Sequence, residues 1–193
     1  ASILEVITLK PHNLIELKNT VPALVEEFAR QLVDQRRLEK TLEAECAVLG
    51  GNFQSCDSGF AAISDLDAFT DFCGWIDYWV KEFSRRSRAT AIQLSLNHSR
   101  QPTCPRFHID NIPLRLIATL YGPGTQWLHA GDVVRGDDSA INQNVDARKI
   151  QQMSSNSVGF FYGARSMSVH GGVVHRSPLT TEDRVVVKMD KIS

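Results

Sequence analysis

From Ala89 to the C-terminus the apolar residues recur with the strand-like period of two rather than the helical period of about 3.6, and that shift constrains the fold most. The segments AIQLSLN, PRFHID, LRLIATLY, TQWL, RKIQQM, SVGFFYG, VVHR and RVVVKMD alternate or run apolar, and each is bounded by Gly, Pro, Ser, Asn or Asp. Successive side chains on a strand point to opposite faces, so these segments read as short strands. With no helical pattern between them, they predict an antiparallel sandwich or jelly roll. The polar, turn-rich stretch 129–147 is long for a plain connection and is expected to be a lid or binding element.

The N-terminal half uses another alphabet. Val21, Leu24, Val25, Phe28 and Leu32 fall at helical spacing, after Thr20 as a candidate N-cap and Pro22 in the first turn. Gly50-Gly51 gives a stop, and one helix or two could fill the interval. A second helix over 64–88 is predicted by the stripe Leu66, Phe69, Phe72/Cys73, Ile76, Trp79/Val80 and Phe83, closed by Arg85, Arg86 and Arg88 at its dipole-favoured end. Trp75, Tyr78 and Trp79 are expected in the core. The expected class is therefore α+β: a double-stranded β-helix (jelly roll) with N-terminal helices packed on one sheet. A helical region, 1–88, and a β-core, 89–193, would together make one compact domain.

Composition removes several function classes. The chain has 193 residues, 42% of them hydrophobic, with 21 Lys+Arg against 22 Asp+Glu and a net charge of −1. That is too apolar for a disordered chain and lacks the basic excess of a nucleic-acid binder. No apolar run approaches the ~20 residues of a membrane span. The opening ASILEVITL is short and lacks leading basic residues, so it does not read as a secretory signal. Cys46, Cys56, Cys73 and Cys104 form no C-x-x-C pair, which argues against a zinc finger and against a disulfide framework. Cys73 is expected to be a buried thiol, and a reduced, cytoplasmic protein is the expectation. Oligomeric state is left open.

The chemistry lies in PRFHID. His108 and Asp110 are one residue apart, so on a strand both project from the same face. His175, inside the apolar VVHR, would complete two histidines and one carboxylate. Its rival His170 precedes Gly171-Gly172 and reads as loop. Such a facial triad leaves three coordination positions open, as in non-heme Fe(II) oxygenases. Arg184, at the start of RVVVKMD, could face inward and pair with a carboxylate ligand beside the metal, or sit at the rim with Glu182 or Asp183. Thr119 and Tyr121 could hydrogen-bond the same carboxylate, although Tyr121 could equally cap the turn GPG. Asn97, Arg106, Arg115, Trp127 and Phe160 are candidate cavity walls, with Arg115 alternatively a buried partner for Asp110. Cys104 is either a fourth ligand or a small hydrophobe. His12, His98 and His129 read as surface or satisfied polar residues.

CPRFHIDNIPLRLIATLYGPGTQWL, VVHRSP and RVVVKMD, within 104–190, resemble a widespread family of uncharacterised proteins sharing C-P-R-F-H-x-D, G-P-G-T-x-W and V-H-R-S-P. Members are frequently encoded beside zinc-handling genes. At greater distance the layout is similar to the Fe(II)/2-oxoglutarate dioxygenases, especially the prolyl-hydroxylase branch. That resemblance implies an Fe(II) site at His108, Asp110 and His175, with 2-oxoglutarate bound by Tyr121 and Arg184 and Thr119 as a further candidate from its strand position, and hydroxylation of a small-molecule or peptide substrate. The interval from His175 to Arg184 is short for the pattern, so Lys188 or Arg176 are alternative anchors. Two other readings stand beside it: a Zn(II)-binding protein or zinc hydrolase using the same triad, and a metal-free jelly-roll binding module.

Overall fold

Alternation sorts the C-terminal half into two faces. A computed structural model describes residues 13–49, 52–53, 57–166 and 171–192. The expectations for the opening segment, the Gly50-Gly51 stop, His12, Cys56 and His170 lie outside those residues. The strands are β1 (Leu14–Leu17), β2 (Leu42–Leu49), β3 (Asn52–Phe53), β4 (Ala91–Ser99), β5 (Leu114–Tyr121), β6 (Gln126–Leu128), β7 (Ile150–Gln152), β8 (Ser157–Tyr162), β9 (His175–Arg176) and β10 (Arg184–Lys191). They form a seven-stranded sheet ordered β1-β8-β5-β10-β4-β2-β3 and a three-stranded sheet ordered β7-β6-β9, with antiparallel pairing throughout.

Two helices share a core with one face of the large sheet. Helix α1 (Ala23–Asp34) buries Val25, Phe28, Ala29 and Leu32, and α2 (Phe69–Ser87) buries Phe72, Trp75, Ile76, Trp79, Val80 and Phe83. Phe28 stacks on Phe72 with centroids 4.5 Å apart, and Trp79 lies 6.2 Å from Phe160 of β8. The same cluster takes Leu114, Leu116, Ala118 and Leu120 from β5, and Val185, Val187 and Met189 from β10. Each Leu, Val or Met among them contributes about 1.5–3 kcal/mol by leaving water. Tyr78 differs from expectation: it is 58% exposed on the outer side of α2.

The opposite face of β5 and β10 carries Arg115, Ile117, Arg184, Val186 and Lys188, which look toward the small sheet. The large sheet thus has one apolar face under the helices and one mixed face over a cavity. This is an α+β fold built on antiparallel sheets.

Several N-terminal expectations change. Helix α1 stops at Asp34, and 42–49 is strand β2, paired with β4. Its LEAECAVL buries Ala44 and Cys46 while Glu43 and Glu45 stay exposed, a period of two that the surrounding helical residues concealed. Thr20 does not cap α1; its hydroxyl donates to the Leu17 carbonyl at 2.9 Å, and Pro22 holds the N-cap position. Cys46 is disulfide-bonded, which corrects the expectation of unbridged cysteines; spacing alone cannot reveal which chain segments a fold brings together. Cys73 is partly buried, short of the full burial expected.

Segment 129–147 does not line the cavity that holds His108 and His175; its start lines a second cavity with Ile109, Trp127 and Leu128. Val133, Ile141 and Val145 pack on Phe107, Leu128 and Val174 at the outer face of the small sheet. Gln143 fastens the segment by accepting from Phe107 N–H at 2.7 Å and donating to its carbonyl at 3.0 Å.

Candidate metal centre

PRFHID forms no full strand. It meets β9 in one isolated antiparallel bridge, His108 to His175, with both N–H to O distances at 3.0 Å. Directly opposed residues in such a pair project from the same side, so the backbone alone sets the two imidazoles together, with centroids 4.5 Å apart. Asp110, two residues on, returns to that side.

The three ligand atoms lie within 4.8 Å of one another. His108 Nε2 is 3.5 Å from Asp110 Oδ1, and His175 Nε2 is 3.4 Å from Asp110 Oδ2. Two donors ~2.1 Å from one ion at a right angle stand about 3 Å apart, so the set fits a small divalent ion with little adjustment. Both rings are also oriented for it. The Nδ1 of His108 meets the Arg106 carbonyl at 2.9 Å, and that of His175 meets the Val173 carbonyl at 3.2 Å. A carbonyl can only accept, so each Nδ1 carries a proton; a bound ion would take the Nε2 lone pairs, and in the metal-free site a doubly protonated ring can turn its Nε2–H to Asp110. Phe161 packs on the His175 ring at 4.9 Å. His175 is buried, and the side chain of His108 is 33% exposed, which leaves the centre open on one side.

Burial raises the Asp110 pKa, but hydrogen bonds from His108 and His175 and the charges of His175 and Arg115 more than offset it, so the carboxyl sits well below the ordinary carboxylate range. The same Asp110 hydrogen bond raises His108 above its usual value. A carboxylate held ionised in a partly buried site is a standing attraction for a cation.

His108 and His175 share a cavity with Arg184 and Lys188. Arg184 is 4% exposed and donates from Nε to the Pro123 carbonyl at 2.7 Å. Gly122 makes that approach feasible: at φ +79° it passes against Asp183, where a Cβ would collide with the carbonyl. Asp183 itself pairs with His98 at 2.8 Å, and Glu182 with Thr180, so the rim pairing of Arg184 with either acid is not formed. Burial lowers the Arg184 pKa to about 10, so at neutral pH it is a buried cation with no acidic partner among the described residues. Lys188 is pulled down by burial and by the charge of Arg115. Arg176 also lines this cavity, where it donates to Gln126 at 2.8 Å and lies over the Phe107 ring at 4.3 Å.

Thr119 is on the cavity-facing register of β5, and its buried hydroxyl has no hydrogen-bond partner among the described residues. Tyr121 is not beside it. A bulge at Val185/Val186 shifts the register, and Tyr121 packs on the helix-side core, away from the cavity. Phe160 is likewise on the helix side, and its neighbour Phe161 faces the site. Trp127 stands opposite His175 in the β6–β9 pair. Asn97 lines the cavity while donating to Thr41, whereas Arg106 contributes its carbonyl alone. Cys104 lies at the exposed margin, outside the triad's ligand group. Sequence reasoning missed the two carbonyls that orient the rings, which carry no side-chain signal. It also missed Asp190, whose even spacing from Arg184 and Lys188 was visible.

No helix of the described residues is long and apolar enough to cross a membrane. No curated protein matches the chain. Among solved structures the chain is similar to the rice dioxygenase for auxin oxidation, with a TM-score of 0.55 and 13% identity over 95% of this chain and 74% of that one. The corresponding Arabidopsis thaliana enzyme, solved with 2-oxoglutarate, gives a TM-score of 0.54 and 9% identity over 94% and 83%. The viral collagen prolyl hydroxylase of Paramecium Bursaria Chlorella virus-1 gives 0.47 and 8% over 94% and 97%. The two plant likenesses show a shared fold. The DUF1826 family, described as a protein of unknown function, matches residues 1–190, and the chain belongs to that family.

Proposed function

We propose that the protein is a non-heme Fe(II)- and 2-oxoglutarate-dependent dioxygenase that hydroxylates a small-molecule or peptide substrate within a double-stranded β-helix. His108, Asp110 and His175 would hold the ion. Fe(II) bound there supplies the dioxygen chemistry, coupled to decarboxylation of 2-oxoglutarate to succinate. Three protein ligands leave room for a chelating co-substrate and for dioxygen. The observation that carries the reading is the buried Arg184 guanidinium, with no acid among the described residues and in the same cavity as His108 and His175. A buried cation needs an anion, and a dicarboxylate reaching from the centre supplies one. Thr119, with its unpartnered hydroxyl, is the second donor for that carboxylate. Arg115 holds Asp110, and the Nδ1 contacts hold the imidazoles, so the chain's own part is orientation and charge.

Oxygen uptake with succinate formation, dependent on added Fe(II) and 2-oxoglutarate, tests the activity. Tight zinc binding with no oxygen uptake overturns it. Arg184→Ala is expected to weaken 2-oxoglutarate binding by about 1.5–3 kcal/mol, the worth of a charged hydrogen bond, or roughly 10–100-fold. Fe(II) binding should be unaffected, because Arg184 is not a ligand. Isothermal titration of 2-oxoglutarate into Mn(II)-loaded protein measures it; equal affinities for variant and wild type contradict the assignment.

A further inference from the structure

Arg115 of β5 and Asp190 of β10 stand directly opposite each other in the large sheet. The Asp190 carboxylate accepts two parallel bonds, from Arg115 Nε at 2.7 Å and Nη2 at 2.6 Å. A two-pronged contact of this kind fixes the plane and direction of a guanidinium as well as its charge. The remaining nitrogen, Nη1, then points at the metal centre and donates to Asp110 Oδ2 at 2.9 Å. Each oxygen also has one longer imidazole contact, Oδ1 to His108 Nε2 at 3.5 Å and Oδ2 to His175 Nε2 at 3.4 Å. The two carboxylate oxygens are therefore unequal: Oδ2 takes the guanidinium bond, and Oδ1 keeps its lone pairs clear of it. An unrestrained carboxylate can chelate with both oxygens, and doing so would use up one of the positions an open site needs.

On the reading of this site as metal-binding, we propose that Asp190 and Arg115 are positioning residues that make Asp110 a one-oxygen ligand and keep the metal's remaining positions open. The pair is not needed to hold β5 to β10, which already pair along the rest of the strand from Leu116↔Met189 onward. The three partly buried side chains, 12% exposed for Asp110, 20% for Arg115 and 28% for Asp190, form one chain of charge from the end of the last strand to the metal ligand.

Co(II) tests this without turnover, because its visible absorption reports coordination. Asp190→Asn removes the acid's charge and changes no atom that would touch the ion. Arg115→Lys keeps the charge but cannot fork two acids at once. In both variants the Co(II) dissociation constant is expected to rise about tenfold or more, the usual cost of losing an outer partner of a ligand, and the visible bands to move. The melting midpoint of the metal-free protein is recorded alongside. A folded variant with wild-type Co(II) affinity and spectrum overturns the proposal, whatever its midpoint, since the pair is then only a structural ion pair. Wild-type protein that takes up no Co(II) is a different failure: it removes the metal reading itself, and this inference with it.

Discussion

Asp110→Ala is expected to lower Fe(II) affinity by at least about 100-fold, beyond what loss of an outer partner costs. The carboxylate is the sole anion of the triad and sits between the two imidazoles, 3.5 Å from one Nε2 and 3.4 Å from the other. Without it a divalent ion would meet two neutral rings and the Nη1 edge of Arg115, which is aimed at the same place. The ion would lose an attraction and gain a repulsion. Asp110→Asn separates charge from shape: it keeps a donor oxygen and nearly the same volume, so retention of tight binding in the Asn variant would place the affinity in the imidazoles. Metal content after equilibrium dialysis gives the answer. The metal-free variant should also be less stable, because breaking a buried pair strands its partner charge. Asp190 limits that loss by continuing to hold Arg115.

Phe72→Ala is expected to cost about 3–5 kcal/mol of folding stability, the range for removing a large aromatic from a close-packed core. Phe72 is fully buried, stacks on Phe28 at 4.5 Å and meets Phe60 edge-on at 5.6 Å. It joins α2, α1 and the turn before α2, so its removal leaves a cavity bounded by all three elements. Against a total stability of about 5–15 kcal/mol, that loss threatens the fold. At about 2–4 °C per kcal/mol for a domain this size, the midpoint should fall by roughly 10 °C. Chemical denaturation with an unchanged slope checks it. Metal affinity per folded molecule should not move, because the helices lie behind the large sheet from the metal centre. A loss below about 1 kcal/mol would mean that the helix layer is not close-packed on the sheet.

What was legible in the sequence followed from periodicity. The stripe Phe72, Ile76, Val80 and Phe83 is buried in α2, and RVVVKMD divides between Val185, Val187 and Met189 in the core and Arg184, Val186 and Lys188 at the cavity. Two residues apart in chain and on one side in space is all that His108 and Asp110 require, and an antiparallel bridge brings His175 to them. The misplacements also have local causes. LEAECAVL satisfies a helical pattern as well as a strand one, and its pairing with β4 decides between them. Tyr121 changes face because one bulge inserts a residue into the register, and no propensity signals a bulge. Phe160 and Phe161 are chemically identical, so which one reaches the site is fixed by register alone. Arg115 was visible as a partner for Asp110, but its fork onto Asp190 depends on β5 and β10 being neighbours.

The most direct test uses visible absorption under anaerobic conditions, adding Fe(II) and then 2-oxoglutarate to the protein. The expected result is a weak charge-transfer band that forms only when both are present, and that is absent from His108→Ala and His175→Ala. A band that persists in His108→Ala, or its absence from wild-type protein that has taken up Fe(II), contradicts the triad as the centre where metal and co-substrate meet.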